Sequence, residues 1–328
     1  MSMEILSPGL LSTVQDFGRF GYQASGFAPT GACDSLSMKR ANALVGNDPG
    51  EAVIEMMLLG ITARFYRSCV IALTGADMAP KLNGAEVENG AAIRIESGDT
   101  LELSGTRDGM GCYLAVSGGF DLPLVMGSRS TGLRFGVGGF NGRKIMRGDV
   151  LKLRAPVPDL PDLPRRRLTT LPVFGKHVVL RTVPGPQDYM FSDAELAGFF
   201  SHPYSVTNAT DRMGIRLEGE PIVPKTTSDI ISDGTAFGAI QVPSGGQPII
   251  LMADRQTTGG YAKIATVITA DLPRAAQMRP GCTVRFLPVT VEEAQDILAA
   301  ANKAYEEEYR LLNGSFPASP KTQTGEKS

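Results

Sequence analysis

Hydrophobic and polar residues alternate along much of the chain, which is the pattern of strands with one buried face. In the first half this pattern predicts strands at 70–73, 91–96 and 100–103. The last two flank a turn at 97–99, and Asn83-Gly84 between short apolar segments predicts a hairpin turn. The second half adds predicted strands at 178–183, 240–242, 248–253 and 263–269. The pattern therefore predicts a mainly β fold.

Helical spacing occurs in a few places, each preceded by a residue that can cap a helix. The last of these helices is predicted to run to about residue 312, where Asn313-Gly314 stops it. The capping residues are Asp34 for a helix that ends at Gly46, Ser192 with Glu195, and Thr290 with Glu293.

A proline-rich segment near the middle divides the chain into halves. Residues 154–167 read RAPVPDLPDLPRRR, and each proline holds itself and its predecessor in extended backbone. We predict an N-terminal β-rich domain at 1–155, a linker at 156–168 and a C-terminal domain at 169–312. The remainder, 313–328, is polar and contains proline, which predicts a disordered tail.

One short unit recurs, a glycine turn followed by an alternating strand. The segment GDTLEL at 98–103 is echoed by GDVLKL at 148–153 and more weakly by GCTVRF at 281–286. Because copies close both halves, the repeat indicates two related, barrel-like halves. The alternative is chance, since turn-and-strand units look alike in many β proteins.

Composition and charge narrow the class of protein. The 328 residues carry 32 basic and 34 acidic side chains, so no basic excess points to nucleic acid. The sequence begins without a signal-peptide pattern, and no apolar stretch reaches the ~18 residues of a membrane span. The four cysteines form no CxxC pair, which predicts reduced, packed thiols in a cytoplasmic protein.

Several kinds of catalytic machinery are missing from the sequence. There is no GxxxxGK[ST] phosphate loop, and the glycine run at 136–142 lacks the helix that a dinucleotide site requires. The two histidines, His177 and His202, lie in ordinary contexts, which argues against a zinc site or a Ser-His-Asp triad. We therefore predict no metal site.

Two polar, glycine-rich segments lie between apolar strands and form the candidate site. The first, residues 11–34, carries Gln15, Asp16 and Arg19 beside several glycines. The second follows the apolar run 248–253 and reads DRQTTGGYAK at 254–263. Both are rich in hydrogen-bond donors.

The second segment has the chemistry of an anion site. Arg255 can bind a carboxylate through two parallel bonds, and Lys263 adds a point charge. The adjacent Gly259 and Gly260 permit a nest, in which successive N–H groups face one anion. The alternative is a long hairpin whose charged side chains simply face solvent.

A third patch, residues 210–219, alternates charged and apolar side chains and is interpreted as a strand with a polar face. Arg212 is a candidate site residue there. A salt bridge from Arg212 to Asp211 or Glu218 is the favoured interpretation.

Three segments resemble the biotin-dependent carboxyltransferase family. They are STVQDFGRFG at 12–21, DRMGIRLEG at 211–219, and GAIQVP at 238–243 continuing through GQP at 246–248 to DRQTTGGY at 254–261. This family includes the C subunit of 5-oxoprolinase, also called allophanate hydrolase subunit 2, and the second half of the urea carboxylase carboxyltransferase domain. The resemblance extends over about residues 3–290.

The resemblance implies two cyclophilin-like, barrel-like halves with a few peripheral helices. It also implies one subunit of an ATP-dependent 5-oxoprolinase, which opens 5-oxo-L-proline to L-glutamate with its A and B subunits. The assembled complex would use the ATP, and this chain alone would be inactive. One alternative is carboxyl transfer to urea or a similar small amide, with biotin carried on another chain. Another is a regulator that binds an inhibitor of a histidine kinase, itself similar to the B subunit.

These motifs define the predicted site. The catalytic candidates are Asp254 and Asp16. Segment 133–141 is the predicted contact with the B subunit. The predicted substrate-binding residues are Gln15, Arg19, Arg212, Gln241, Arg255, Gln256, Thr258, Gly259, Gly260, Tyr261 and Lys263.

Overall fold

The structure is a computed structural model that describes residues 2–317. Most of the predicted disordered tail, residues 318–328, lies outside the described residues. The described strands are β1 (Met3–Ser7), β2 (Leu11–Gln15), β3 (Val53–Met57), β4 (Thr62–Phe65), β5 (Cys69–Asp77), β6 (Lys81–Leu82), β7 (Ala85–Glu86), β8 (Ala92–Ile95), β9 (Thr100–Glu102), β10 (Asp108–Val116), β11 (Val150–Leu151), β12 (His177–Pro184), β13 (Tyr204–Val206), β14 (Gly214–Glu218), β15 (Asp229–Gly234), β16 (Ala239–Gln241), β17 (Ile249–Leu251), β18 (Thr258–Tyr261), β19 (Lys263–Val267) and β20 (Thr283–Pro288). The described α-helices are α1 (Ser35–Leu44), α2 (Asp193–Ser201), α3 (Leu272–Ala276) and α4 (Val291–Asn313).

The N-terminal half packs two sheets around one core. The first sheet has the strand order β11-β1-β4-β9-β6-β7, and the second has the order β2-β3-β10-β5-β8. Ile5 and Phe65 from the first sheet meet Ile54 and Leu73 from the second in this core. The predicted strands at 91–96 and 100–103 both form, but as β8 and β9 they belong to different sheets. The turn between them therefore crosses from one layer to the other.

The first helix covers the outer face of the second sheet. Asp34 caps it, because its carboxylate accepts the backbone N–H of Ser37 at 2.9 Å. Gly46 follows the helix with a φ of 74°, a left-handed value that glycine adopts without steric cost. Met38 from the helix packs with Val70 of the sheet. The sequence predicted both ends of this helix.

The C-terminal half closes into a barrel of seven strands, in the order β12-β19-β16-β17-β14-β13-β20. The first and last strands close it in parallel, with Val178 opposite Val284, whereas the other neighbours are antiparallel. Helix α2 covers one side, where the Phe199 ring stacks on Phe286 at 4.6 Å between centroids. The prediction of a mainly β fold is confirmed.

A two-stranded ribbon made of β15 and β18 stands apart from the barrel strands. Its residues are mostly exposed, and the side chain of Ile231 is 95% exposed. The ribbon contains part of the predicted anion-binding segment, so its position decides where those residues lie.

The three recurring glycine turns share one geometry. Gly98, Gly148 and Gly281 have φ values of 106°, 84° and 86°, and each donates its backbone N–H to a carbonyl of a neighbouring strand. The strands that follow two of them, β9 and β11, lie in the same sheet, and the third, β20, lies in the barrel. The three repeated segments therefore share the same turn geometry. A relation between the two halves stays a prediction.

The predicted linker is held tightly against the body of the protein. The buried guanidinium of Arg166 donates to the carbonyls of Ala43 and Leu44 at the end of α1 and to the carbonyl of Leu312 in α4. It also donates to the Asn313 side chain at 2.6 Å. The prediction of extended backbone fails in part, because Leu163–Arg165 of this segment form a short 3-10 helix. Arg166, directly after it, satisfies the carbonyls at two helix ends.

Helix α4 begins after the barrel and returns to the N-terminal half. Thr290 and Glu293 form the predicted capping box at its start. Glu308 receives the guanidinium of Arg40 from α1, and the hydroxyl of Tyr309 donates to the carbonyl of Asn47 at 3.0 Å. The helix therefore joins the two halves.

All four cysteines are buried free thiols, as predicted. Among residues 2–317, no helix is both long enough and apolar enough to cross a membrane.

Candidate functional site

Arg212 lies at the junction of the two halves and is surrounded by acceptors. Its Nε and Nη2 atoms donate to the two carboxylate oxygens of Asp254, each at 2.9 Å. Its Nη1 donates to Glu55, and its Nη2 also donates to the carbonyl of Gly31 at 2.8 Å. Although burial opposes the charge, the carboxylates of Asp254 and Glu55 raise the pKa of Arg212 well above its ordinary value.

The partners expected for Arg212 from the sequence are therefore wrong. Asp211 instead accepts the backbone N–H groups of Met213 and Gly214 and shapes a turn. Glu218 is exposed at the far end of β14, and the ion pairs of Arg212 are to Glu55 and Asp254 instead. The pairing with Asp254 also leaves that carboxylate fully engaged. Its catalytic role stays a prediction.

Asp16 is engaged in a similar way within the N-terminal half. Its Oδ1 atom accepts from the backbone of Gly18 at 2.8 Å and from the hydroxyls of Ser128 and Ser130. Its Oδ2 atom accepts the backbone N–H of Arg129 at 2.6 Å. The carboxylate thus holds the loop at 128–130 beside the candidate site, and its catalytic role stays a prediction.

Arg19 and Gln15 point inward as well. The fully buried guanidinium of Arg19 donates to the Thr30 hydroxyl at 2.9 Å and to the carbonyl of Ser130. The amide of Gln15 donates to the carbonyl of Thr131 at 3.3 Å. Both side chains join the first glycine-rich segment to the loop at 128–131. These contacts position the wall of the site, and a direct contact with substrate stays a prediction.

The predicted nest is contradicted by the structure. Gly259 and Gly260 lie in strand β18 and have none of the positive φ values of the other loop glycines. In extended backbone, successive N–H groups point in opposite directions, so they do not converge on one anion. Gly259 serves packing instead, because a Cβ there would lie 2.5 Å from the Gln241 side-chain nitrogen.

A cleft of about 530 Å³ opens between the two halves, and Arg255 reaches into it. Arg255 is 7% exposed, and among residues 2–317 its side chain donates to the carbonyls of Thr235 and Met252, at 3.3 and 3.4 Å. Its guanidinium lies 5.6 Å from the centre of the Phe237 ring. The cleft is lined by Asp16, Phe17, Phe20, Pro29, Thr30, Ala32, Cys33, Ser35, Phe237, Arg255, Thr269 and Leu272.

No carboxylate among residues 2–317 forms an ion pair with Arg255. Burial therefore lowers the pKa of Arg255 to about 10, which still leaves it charged at neutral pH. A buried cation with only long bonds to carbonyls can bind an anionic ligand strongly, because the ligand restores the interactions that burial removed. We call this cleft the Arg255 cleft.

Lys263 is not part of the lining of the Arg255 cleft. Its ammonium lies 3.6 Å from an oxygen of Asp233 on the ribbon. Gln241 lies opposite Lys263 in the neighbouring strand, and the Gln256 amide donates to the Gln241 side chain at 3.2 Å. The sequence predicted one anion cradle formed by Arg255 and Lys263, whereas the structure separates them.

The remaining predicted site residues are at the surface of the ribbon. Thr258 is exposed, and Tyr261 is 39% exposed. Within the described part of the chain, no group of three or more His, Cys, Asp and Glu side chains is placed to hold a metal ion.

The sequence of this two-halved β protein matches a known family over residues 25–288, the carboxyltransferase domain, subdomain A and B. The chain belongs to this family. The resemblance inferred from the three motifs is therefore confirmed.

Curated members of the carboxyltransferase family cover nearly the whole chain. The C subunit of 5-oxoprolinase from Escherichia coli (strain K12) is 38% identical over 292 residues, which are 89% of this chain and 93% of that protein. The Haemophilus influenzae protein of the same name is 36% identical over 316 residues, with 94% and 98% covered. The crystal structure of the K. lactis urea amidolyase superposes with a TM-score of 0.86 at 30% identity. That match covers 93% of this chain but 20% of the longer yeast chain.

Two residues that connect the halves of this carboxyltransferase-family chain at the site were missed in the sequence. Glu55 lies inside the buried strand β3, and the signal was a charged residue within an apolar run. Gln277 donates to Asp34 at 2.8 Å and accepts the N–H groups of Met110 and Gly111, so it joins α3 to the N-terminal half. Its sequence context gave no signal.

Proposed function

We propose that this chain is the C subunit of an ATP-dependent 5-oxoprolinase, which opens 5-oxo-L-proline to L-glutamate together with its A and B subunits. The observation that carries the proposal is the Arg255 cleft, a small, largely apolar space with one cation that lacks a carboxylate partner. The names of the E. coli and H. influenzae relatives support the same activity.

The shape and chemistry of the cleft suit 5-oxoproline. This substrate is a small, flat lactam ring with one carboxylate. Arg255 would bind the carboxylate through two parallel bonds, and Phe237 and Leu272 would contact the ring. The Thr30 hydroxyl lies in the same lining, donates to the Pro29 carbonyl and accepts from Arg19, and its remaining lone pair can accept the lactam N–H.

The lining does not fit ATP. A triphosphate carries several negative charges, whereas the described lining has Arg255 as its one cation and also contains the carboxylate of Asp16. We therefore assign ATP binding to another chain of the complex and derive no step through it. The carboxylates of Asp16 and Asp254 accept several hydrogen bonds, which stabilise their ionised forms and make them weak bases, so we propose that the general base comes from a partner.

A surface beside the first glycine-rich segment is our proposed contact with the B subunit. Leu133 and Phe135 are 38% and 36% exposed, and Phe135 packs against Phe27 at 5.0 Å between ring centroids. Arg134 lies over the Phe135 ring at 5.7 Å. Aromatic and arginine side chains together are typical of the centre of a protein interface.

Carboxyl transfer to urea or a similar amide is the second candidate. The observation that favours it is the TM-score of 0.86 with the K. lactis urea amidolyase. The flat, uncharged ureido ring of biotin would fit the apolar lining of the Arg255 cleft, with biotin carried on another chain.

Reconstitution tests both candidates. The purified chain, its A-like and B-like partners, and all combinations are assayed for ATP-dependent glutamate release from 5-oxoproline. We expect release only from the complete set and co-elution of this chain with the B-like partner in size-exclusion chromatography. Turnover by the isolated chain would contradict its assignment as one part of a larger enzyme. Carboxylation of urea with a biotinylated carrier, without glutamate release, would favour the second candidate.

A further inference from the structure

Lys263 has the features of a second anion site. Its side chain is 3% exposed, and among residues 2–317 its ammonium has no hydrogen-bond acceptor. The nearest opposite charge is an oxygen of Asp233 at 3.6 Å. That distance allows Coulomb attraction, but it is too long for a hydrogen bond.

This arrangement is costly for a buried ammonium. When a lysine is buried, its three N–H donors lose their hydrogen bonds to water. A carboxylate at hydrogen-bond distance can replace those bonds. The side chain of Asp233 is 57% exposed, so solvent screens its attraction. The free energy of Lys263 would therefore fall if a closer anion bound it.

Asp233 is placed to exchange with such an anion. It belongs to the ribbon, and its Oδ1 atom accepts the backbone N–H of Gly234 at 2.6 Å, which leaves Oδ2 facing Lys263. Lys263 itself belongs to a barrel strand, where the Gln187 side chain accepts its backbone N–H. Lys263 is thus fixed in the barrel, whereas Asp233 is at the surface.

The side-chain amide of Gln241 adds a hydrogen-bond donor near Lys263. Gln241 lies opposite Lys263 across two strands, so their side chains are adjacent on one side of the sheet. The amide nitrogen of Gln241 makes one long bond, 3.5 Å to the carbonyl of Tyr261. An ammonium beside an amide N–H group can bind both oxygens of a carboxylate.

We propose that Lys263 and Gln241 bind the carboxylate of a small anion, and that Asp233 occupies this position as an internal ligand in the free chain. The anion displaces the Asp233 carboxylate from Lys263. This site is separate from the Arg255 cleft. The shared ligand chemistry is one trigonal carboxylate, which either free bicarbonate or an organic acid supplies.

The test compares anion binding by the full chain and three variants. Asp233→Asn keeps an acceptor for the Gly234 N–H but removes the competing charge. Asp229→Asn is the matched control, because Asp229 begins the same strand and its side chain makes no contact with Lys263 in the described structure. Lys263→Met removes the proposed receptor. Binding of bicarbonate, acetate and 5-oxoproline is followed by NMR at the backbone amides of residues 233 and 263, with sodium chloride as the control for ionic strength.

We expect Asp233→Asn to tighten binding about tenfold, because apparent affinity rises when an internal competitor that fills the site most of the time is removed. Asp229→Asn should bind like the wild type, and Lys263→Met should not bind. The anion that gains most in Asp233→Asn identifies the source of the carboxylate. Unchanged binding by Asp233→Asn, or an equal gain in both aspartate variants, would overturn the proposal. The assay uses neither ATP nor partners, so its outcome is independent of the proposed oxoprolinase activity.

Discussion

Two buried arginines near the junction of the halves have opposite surroundings. Arg212 donates to two carboxylates and a backbone carbonyl, so its charge is fully compensated within the fold. Arg255 follows Asp254 directly in the sequence, yet it contacts two carbonyls at long distances and an aromatic ring. Burial lowers the pKa of Arg255, whereas the carboxylates raise that of Arg212.

This difference distinguishes a buried charge that stabilises the fold from a buried charge that is available to bind a ligand. A compensated buried ion joins the parts that contribute its partners, here β3 of the N-terminal half and the loop after β17. A buried cation without an acidic partner is maintained at a cost to stability, and such sites are typical of ligand binding. The same residue type therefore has two roles, which its partners decide.

The largest expected effect comes from removing Arg212. Arg212→Ala leaves the carboxylates of Glu55 and Asp254 buried without a counter-charge, which costs about 3–5 kcal/mol of the free energy of unfolding. Urea denaturation followed by circular dichroism measures this loss. Arg216→Ala in strand β14 is the matched control, because Arg216 is exposed and should change stability by less than about 0.5 kcal/mol. Equal stability of the two variants would show that the Arg212 network does not hold the halves together.

Removing Arg255 should affect activity and spare stability. Arg255→Met keeps the length of the side chain but removes its charge, so the free energy of unfolding should change by less than about 1 kcal/mol. Glutamate release by the reconstituted complex should fall at least about tenfold, which corresponds to ~1.4 kcal/mol of lost binding. Full activity of the variant complex would exclude Arg255 as the carboxylate receptor.

The adjacent glycines of β18 offer a smaller, sharper test. A Cβ on Gly259 would lie 2.5 Å from the Gln241 side chain, whereas the nearest atom to a Cβ on Gly260 is 3.5 Å away. Gly259→Ala should therefore cost about 1 kcal/mol through displacement of Gln241, and Gly260→Ala should be close to neutral. Thermal unfolding compares the two. Equal destabilisation would point to a backbone requirement of the kind that the nest hypothesis assumed.

The smallest expected effect concerns the ring beneath Arg255. Phe237→Leu removes a cation–π contact worth about 0.5–1 kcal/mol, so the KM for 5-oxoproline should change by roughly two- to fivefold. Phe17 lines the same cleft but lies away from the guanidinium, so Phe17→Leu serves as the control. A larger effect of Phe17→Leu would mean that the substrate ring, rather than Arg255, depends on the aromatic lining.

The sequence predicted what local chemistry determines. The cap at Asp34, the capping box at Thr290 and the hairpin turn at Asn83-Gly84 each depend on a few neighbouring residues, and all three form. The family motifs also identified the segments that meet at the site, because a short motif can be recognised without a structure.

What the sequence could not predict depends on distant pairing. Arg212 lies 157 residues from Glu55 and 42 from Asp254, so the nearby Asp211 looked like the better partner. The split between Arg255 and Lys263 has a similar cause. The two residues are close in the chain, but the strand β18 between them pairs with the distant β15, which directs Lys263 toward Asp233.

The course of α4 has a practical meaning for anyone who trims this protein. The family match stops at residue 288, just before the helix starts. A fragment cut there would keep every strand of the barrel but would expose Ala43 on α1 and leave Arg166 without its Leu312 partner. The natural unit for expression therefore runs past the matched region, to the glycine at 314 where the helix ends.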